Sequence, residues 1–95
     1  MKITADFPTE RGPALMGTMA KHFGHKITVT TTEQDALFQF DNGTAIVAVT
    51  DTGLSLTVEA ADADSIAPLR GVIESHLLRF AHREDPQPLI WSDPT

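Results

Sequence analysis

Residues 26–60 read KITVTTTEQDALFQFDNGTAIVAVTDTGLSLTVEA, and most of the predicted sheet comes from them. It is rich in β-branched and aromatic residues, and apolar and polar residues alternate along much of it, as in strands with one buried face. The tripeptides Asp-Asn-Gly at residues 41–43 and Asp-Thr-Gly at residues 51–53 are typical of tight turns. We therefore predict an antiparallel meander of four strands, the last two at residues 44–50 and 54–60.

The N-terminal side of the meander predicts a strand and then a helix. Apolar and polar residues alternate over residues 3–7, as in a half-buried strand. Thr9 is the predicted N-cap of the helix, which should end near Phe23 because Gly24 is a typical C-terminal stop. The apolar side chains of this helix share one stripe: Leu15, Met16, Met19 and Phe23.

A longer helix is predicted on the C-terminal side of the meander. Asp62 or Asp64 can cap its N-terminus. Its apolar stripe continues over about four turns and contains Ile66, Leu69, Ile73, Leu77 and Phe80. After the break at Pro86 and Pro88, residues 89–91 predict a short closing strand.

These elements predict an α+β fold with the order β-α-β-β-β-β-α-β. Two helices packed on one face of an antiparallel sheet bury both apolar stripes at once, which gives a two-layer sandwich. The length of 95 residues suits one domain, residues 1–95. A hydrophobic content of 41% with 21% charged residues is typical of a chain with a folded core.

Composition also excludes several classes of function. The formal net charge of −6 repels phosphate backbones and anionic membranes, so we expect neither nucleic acid nor a membrane as partner. The chain has no cysteine, which excludes disulfides and thiolate metal sites. Its apolar runs are too short for a membrane span and its N-terminus lacks an apolar leader, so we expect a cytoplasmic protein.

The histidines are unevenly distributed along the chain. All four lie in two windows, residues 21–26 and 76–83, which contain no Asp or Glu. The same windows hold these basic residues: Lys21, Lys26, Arg79 and Arg83. A positive patch on an acidic protein is expected if folding brings the two windows together.

The two histidine windows also carry a family resemblance. The sequence KHFGHK at residues 21–26 and HLLRFAHRE at residues 76–84, with the turn at 40–43 and Trp91, resembles the bacterial family called domain of unknown function 2218. That family has no established activity. Some of its members are encoded beside, or joined to, flavin reductases that act on ferric siderophores, so the resemblance implies a role in iron handling.

A candidate site follows from projecting both helices at about 100° per residue. His76, Arg79 and Arg83 share one flank of the second apolar stripe, and Arg11 and His22 share a flank of the first. If the two flanks face each other, these five side chains converge. Arginine and histidine donors beside apolar walls suit an anionic ligand such as a carboxylate, a phosphate or a catecholate complex.

Structural interpretations of the same residues remain open. His76 can satisfy a backbone or carboxylate partner at the edge of the core, while the arginines pair with Glu10, Glu74 or Glu84. Trp91 can either stack against an aromatic ligand or cover the open edge of the sheet.

A metal site is a weaker interpretation of the first window. His22 and His25 have the spacing of two metal ligands on one helix, but Gly24 ends the predicted helix between them. The neighbouring Lys21 and Lys26 also oppose a cation. We therefore predict neither a metal nor a cofactor.

No motif for catalysis is present. The sequence has no Gly-x-Ser-x-Gly, no phosphate-binding Gly-x-x-x-x-Gly-Lys and no His-Glu-x-x-His, so enzymatic activity is not predicted. We expect a small binding or accessory module that recognises an anionic small molecule, with a ferric siderophore as the ligand that the resemblance implies. The alternative is a structural or interaction module that acts through its sheet face as a homodimer or larger homo-oligomer.

Overall fold

The computed structural model describes all residues from Met1 to Thr95 and contains one five-stranded sheet and two α-helices. In chain order the elements are β1 (Lys2–Pro8), α1 (Gly12–Gly24), β2 (Thr28–Thr31), β3 (Asp35–Phe40), β4 (Gly43–Val49), β5 (Gly53–Glu59) and α2 (Ala63–Phe80). A single 3-10 turn, His82–Glu84, follows α2. The predicted α+β fold is confirmed.

The sheet has the strand order β1-β5-β4-β3-β2, and all neighbouring strands are antiparallel. Its register places Val47 opposite both Ala36 and Leu56, and Leu56 opposite Ala5. All four side chains are buried, so this row lies on the inner face. On the outer face, Ile46 is 41% exposed.

Both helices place their predicted apolar stripes against the inner face of the sheet. Met19 of α1 and Ile73 and Leu77 of α2 are completely buried, as is Phe38 of β3 beneath them. These side chains belong to one continuous hydrophobic core, and no polar or charged residue is buried. Neither helix combines the length and the apolar character that crossing a membrane requires.

The two helices begin differently from each other. The Asp62 side chain accepts a 2.9 Å hydrogen bond from the Ser65 backbone N–H, so Asp62 is the N-cap of α2, as predicted. The prediction that Thr9 caps α1 is wrong, because Arg11 is the N-cap residue and makes no side-chain capping bond. The Thr9 hydroxyl instead donates to Glu84 at 2.6 Å and accepts from the Arg11 N–H at 3.0 Å.

The predicted closing strand at residues 89–91 does not form, although the end of the chain does run beside β1. The Ser92 N–H donates to the Thr4 carbonyl at 2.7 Å. Lys2 and Thr95 exchange two backbone hydrogen bonds, of 3.0 and 2.9 Å. The C-terminal segment therefore covers the outer edge of β1 through isolated backbone contacts rather than through a regular ladder.

The prolines of this segment account for its irregular backbone. Pro86 and Pro88 have no N–H to donate to a ladder. The next N–H, that of Leu89, donates to the Glu74 carboxylate of α2 at 3.2 Å. None of these three residues therefore donates a backbone hydrogen bond to β1.

Candidate functional site

The C-terminal end of α1 meets the last two turns of α2. The ring centroids of His22 and His76 lie 4.9 Å apart, and His22 also approaches the edge of Phe80 at 5.6 Å. The guanidinium of Arg79 lies 5.3 Å from the centroid of the Phe80 ring. The structure thus brings together three of the five predicted site residues, and we call His22, His76, Arg79 and Phe80 the His–Arg cluster.

Packing and one hydrogen bond hold the imidazole of His76 in place. Its ring lies 4.9 Å from that of the buried Phe23, and its Nδ1 is 2.7 Å from the Val72 carbonyl oxygen. A carbonyl oxygen only accepts, so Nδ1 carries a proton and donates it. In the neutral ring Nε2 is then an acceptor, and in the protonated ring it is a second donor.

The electrostatic environment of His22 is positive. Partial burial lowers the pKa of His22 below its ordinary value of 6.5, because removal from water disfavours the charged imidazolium. Four basic neighbours lower this pKa further, in the order His76, Arg79, Lys26 and His25. An anion bound between these groups would reverse their effect and favour protonation of His22.

No carboxylate neutralises this region. The one ion pair in the structure joins Arg11 to Glu84 at 3.9 Å, so Arg79 and Lys26 have no acidic partner. This region is positive although the whole chain has a net charge of −6. The His–Arg cluster therefore has the charge that an anionic ligand requires.

Two predicted site residues lie away from the cluster. Arg11 precedes the first residue of α1 and pairs with Glu84. A helical projection shows on which side of a helix a residue lies but not its position along the helix axis. Arg11 and His22 are separated by about three turns, or roughly 16 Å along the axis. The prediction that Arg11 converges with the histidines is therefore wrong.

Arg83 also falls outside the predicted arrangement. The helix α2 ends at Phe80, and Arg83 is exposed in the following 3-10 turn, so the helical projection does not extend to it. It forms no ion pair and no cation–π contact with the cluster.

The structural interpretation holds for part of the predicted site. His76 is bonded to a backbone carbonyl, and Arg11 is paired with Glu84. Glu74 does not pair with an arginine, because its carboxylate accepts from the Trp91 indole N–H at 2.8 Å. Trp91 is half-buried against the hydrophobic core, so it anchors the C-terminal segment to α2.

The two clefts of the structure lie elsewhere and have acidic linings. The larger, of about 640 Å³, lies between β1 and the C-terminal segment and includes Asp6, Glu84 and Asp85 in its wall. The second, of about 520 Å³, lies at the start of α1 and includes Glu10 and Asp51. Neither contains a residue of the His–Arg cluster, which is therefore a surface patch, and the acidic walls of both clefts disfavour anions.

The structure contains no cluster of side chains with the number of ligands that a metal ion needs. No three or more His, Asp or Glu side chains are arranged to hold a metal ion. His22 and His76 form a pair without a third ligand, and the adjacent positive charges oppose a cation.

Comparisons with known proteins identify relatives of this chain without giving an activity. A family model described as "Uncharacterized protein conserved in bacteria (DUF2218)" matches residues 4–92. The fold is similar to the NMR structure of PA4090 from Pseudomonas aeruginosa, with a TM-score of 0.81 and 24% sequence identity over 96% of this chain and 94% of that chain. No curated protein matches this sequence.

Proposed function

The chain belongs to the uncharacterised bacterial family DUF2218, and we propose that it is a cytoplasmic accessory module that binds an anionic small molecule at the His–Arg cluster. The proposal is supported mainly by one observation. An acidic protein keeps Arg79 and two adjacent imidazoles together at its surface without a carboxylate to neutralise them.

Each group of the cluster has a defined role in this proposal. The planar guanidinium of Arg79 donates two parallel hydrogen bonds to a carboxylate or a phosphate. His22 takes up a proton when the anion arrives, and its imidazolium becomes a further donor. The apolar part of the ligand lies against the ring of Phe80, which is half-buried beside Arg79.

The combination of cationic and aromatic groups favours a planar anion. Aromatic carboxylates and catecholates carry negative charge beside a flat ring, so they satisfy the guanidinium and the Phe80 ring at once. A ferric catecholate siderophore has the same chemistry, and it agrees with the role in iron handling that the family resemblance implies. Inorganic phosphate lacks the ring and should bind more weakly.

The proposal is tested by titration of the purified protein with three probes: 2,3-dihydroxybenzoate, its ferric complex and inorganic phosphate. We expect saturable NMR shifts of the His22 and His76 ring protons, and a rise in the His22 pKa, with 2,3-dihydroxybenzoate. The ferric complex is paramagnetic, so its binding is followed by broadening of the same signals. Phosphate should need a higher concentration to produce the same shifts.

Two arginine variants make the test specific. Arg79→Gln should abolish the saturable shifts, because it removes the guanidinium but keeps an amide of similar length. Arg70→Gln is the matched control, since Arg70 is also exposed on α2 but lies outside the cluster, and it should bind like the wild type. Absence of saturation with all three probes, or equal binding by the Arg79 variant, would contradict the proposal.

A further inference from the structure

The two edges of the sheet differ in what covers them. The outer edge of β1 is covered by the C-terminal segment, through the backbone bonds of Ser92 and Thr95. The other edge strand, β2, pairs only with β3. No segment of the chain lies in hydrogen-bonding contact along the outer edge of β2.

The alternation of an antiparallel ladder identifies the free backbone groups of β2. The Thr32 N–H donates to the Asp35 carbonyl at 2.8 Å, which marks a hydrogen-bonded pair at the hairpin. Hydrogen-bonded pairs recur at every second residue, so Thr30 pairs inward with Leu37. The N–H and C=O groups of Val29 and Thr31 therefore point away from the sheet, and they form no hydrogen bond within the chain.

Strand β2 is short, with four residues, but it carries none of the other features that prevent edge-to-edge pairing. Those features are a lysine, a proline, a bulge or a covering segment. The sequence of β2 is Thr-Val-Thr-Thr, without charge or proline, and three of its four side chains are exposed. Its backbone edge is thus open to a further strand.

We propose that a second copy of this chain pairs with β2 in antiparallel orientation, about a two-fold axis at Thr30. In this register Val29 of one copy lies opposite Thr31 of the other, and the outward backbone groups of both residues are satisfied. The sheets of the two copies then form one continuous layer of ten strands. Because the C-terminal segment covers each β1 edge, the assembly closes at two copies.

The charges that flank β2 favour this orientation over a parallel one. His25 and Lys26 precede the strand, and Glu33 and Asp35 follow it. Antiparallel pairing brings the basic end of each copy beside the acidic end of the other, at both ends of the interface. Parallel pairing would bring like charges together.

Sedimentation equilibrium over a range of protein concentrations tests the proposal. We expect the mass of the wild type to rise with concentration from 10.3 kDa towards twice that value. Thr31→Pro should remain at 10.3 kDa at every concentration, because it removes an outward N–H and adds a ring at the interface. Its circular dichroism should stay native, since the bonds between β2 and β3 do not use that N–H.

Two variants with opposite charges at Thr30 test whether the dimer forms through β2. Thr30→Lys and Thr30→Glu each place like charges opposite each other at the two-fold axis, so each should be monomeric, and an equimolar mixture should form dimers again. Thr57→Lys is the control, because Thr57 lies on the outer face of the interior strand β5 and should not alter the dimer. A wild type that stays at 10.3 kDa would overturn the proposal. So would a dimer that persists in Thr30→Lys and Thr31→Pro, or one that Thr57→Lys disrupts, which would place the interface on another surface.

Discussion

The imidazole rings of His22 and His76 lie 4.9 Å apart, one from each helix, and neither is paired with a carboxylate. The basic ring of His76 opposes a charge on His22 and is, after partial burial, the next largest cause of the lowered pKa of His22. Removal of the His76 ring should therefore change the pKa of His22.

We expect an NMR titration of the His22 ring protons to give a pKa below 6.5. In His76→Gln this pKa should rise, because a basic neighbour has been removed, yet it should stay below 6.5 because partial burial is the largest cause of the shift. A pKa of His22 that does not move in the His76 variant would show that His76 does not act on His22 at this distance.

The same shift makes stability depend on pH in a defined direction. The His22 pKa is lower in the folded protein than its ordinary value of 6.5, so the unfolded chain binds more protons just below pH 6.5. The contribution of His22 to stability is therefore complete above pH 6.5 and is lost as the pH falls towards the folded pKa.

Urea denaturation between about pH 7.5 and about pH 5, the range in which histidine titrates, measures this dependence. The wild type should lose more stability over the range than His22→Gln, which has no titratable group at this position. Equal losses in the two proteins would contradict the shift.

The convergence of His22 and His76 could be predicted from the sequence because it depends on local periodicity. An apolar stripe fixes which side of each helix faces the sheet, and two helices on one face of a small sheet must lie side by side. Residues just beside the two stripes, such as His22 and Arg79, then face the groove between the helices.

The contacts of Arg11, Glu84, Glu74 and Trp91 could not be predicted in this way. They depend on the level at which the helices cross and on the path of the chain after α2, and neither leaves a periodic pattern. The polar contacts of the C-terminal segment join residues far apart in the sequence, such as Glu74 and Trp91. Such contacts are determined by the folded geometry alone.

The N-cap of α2 gives a matched pair of variants. Asp62→Ala should lower the midpoint of thermal unfolding by roughly 4–8 °C, because the Ser65 N–H loses its side-chain acceptor. Asp64→Ala is the control, since Asp64 lies in the first turn but makes no capping bond, and its effect should be smaller. Thermal scans followed by circular dichroism compare the two, and an equal loss would mean that the capping bond is not what stabilises this end.

The anchor between Glu74 and Trp91 can be followed by fluorescence, because Trp91 is the single tryptophan. Glu74→Ala should shift the emission of Trp91 to longer wavelength and destabilise the protein by about 1.5–3 kcal/mol, the typical contribution of a hydrogen bond to a charged group. Glu74→Gln keeps an oxygen acceptor for the indole and should lose less.

Glu59→Ala serves as the control for the loss of one carboxylate, since the Glu59 side chain is exposed and makes no hydrogen bond or ion pair. It should leave the Trp91 emission unchanged. An unshifted emission in Glu74→Ala would contradict the anchoring role.

Two phenylalanines of β3 test which part of this strand the helices cover. Phe38 is completely buried and its ring packs 5.5 Å from that of Phe23, whereas Phe40, on the same strand, is only half-buried and lies 5.7 Å from Phe23. Phe38→Ala removes a ring from a closed environment that cannot fully collapse, so it should cost about 3–5 kcal/mol of unfolding free energy. That is a large share of the roughly 5–15 kcal/mol available to a small domain.

Phe40→Ala should cost clearly less than Phe38→Ala, because part of the cavity it leaves is open to water. Urea denaturation measures the unfolding free energy of both variants. An unchanged slope of this free energy against urea concentration would show that the denatured states are comparable. If the two substitutions cost the same, the helices do not cover β3 as described. The ring of Phe23 contacts both phenylalanines of β3 and the imidazole of His76. The same result would therefore also contradict the packing of Phe23 that holds His76 in place.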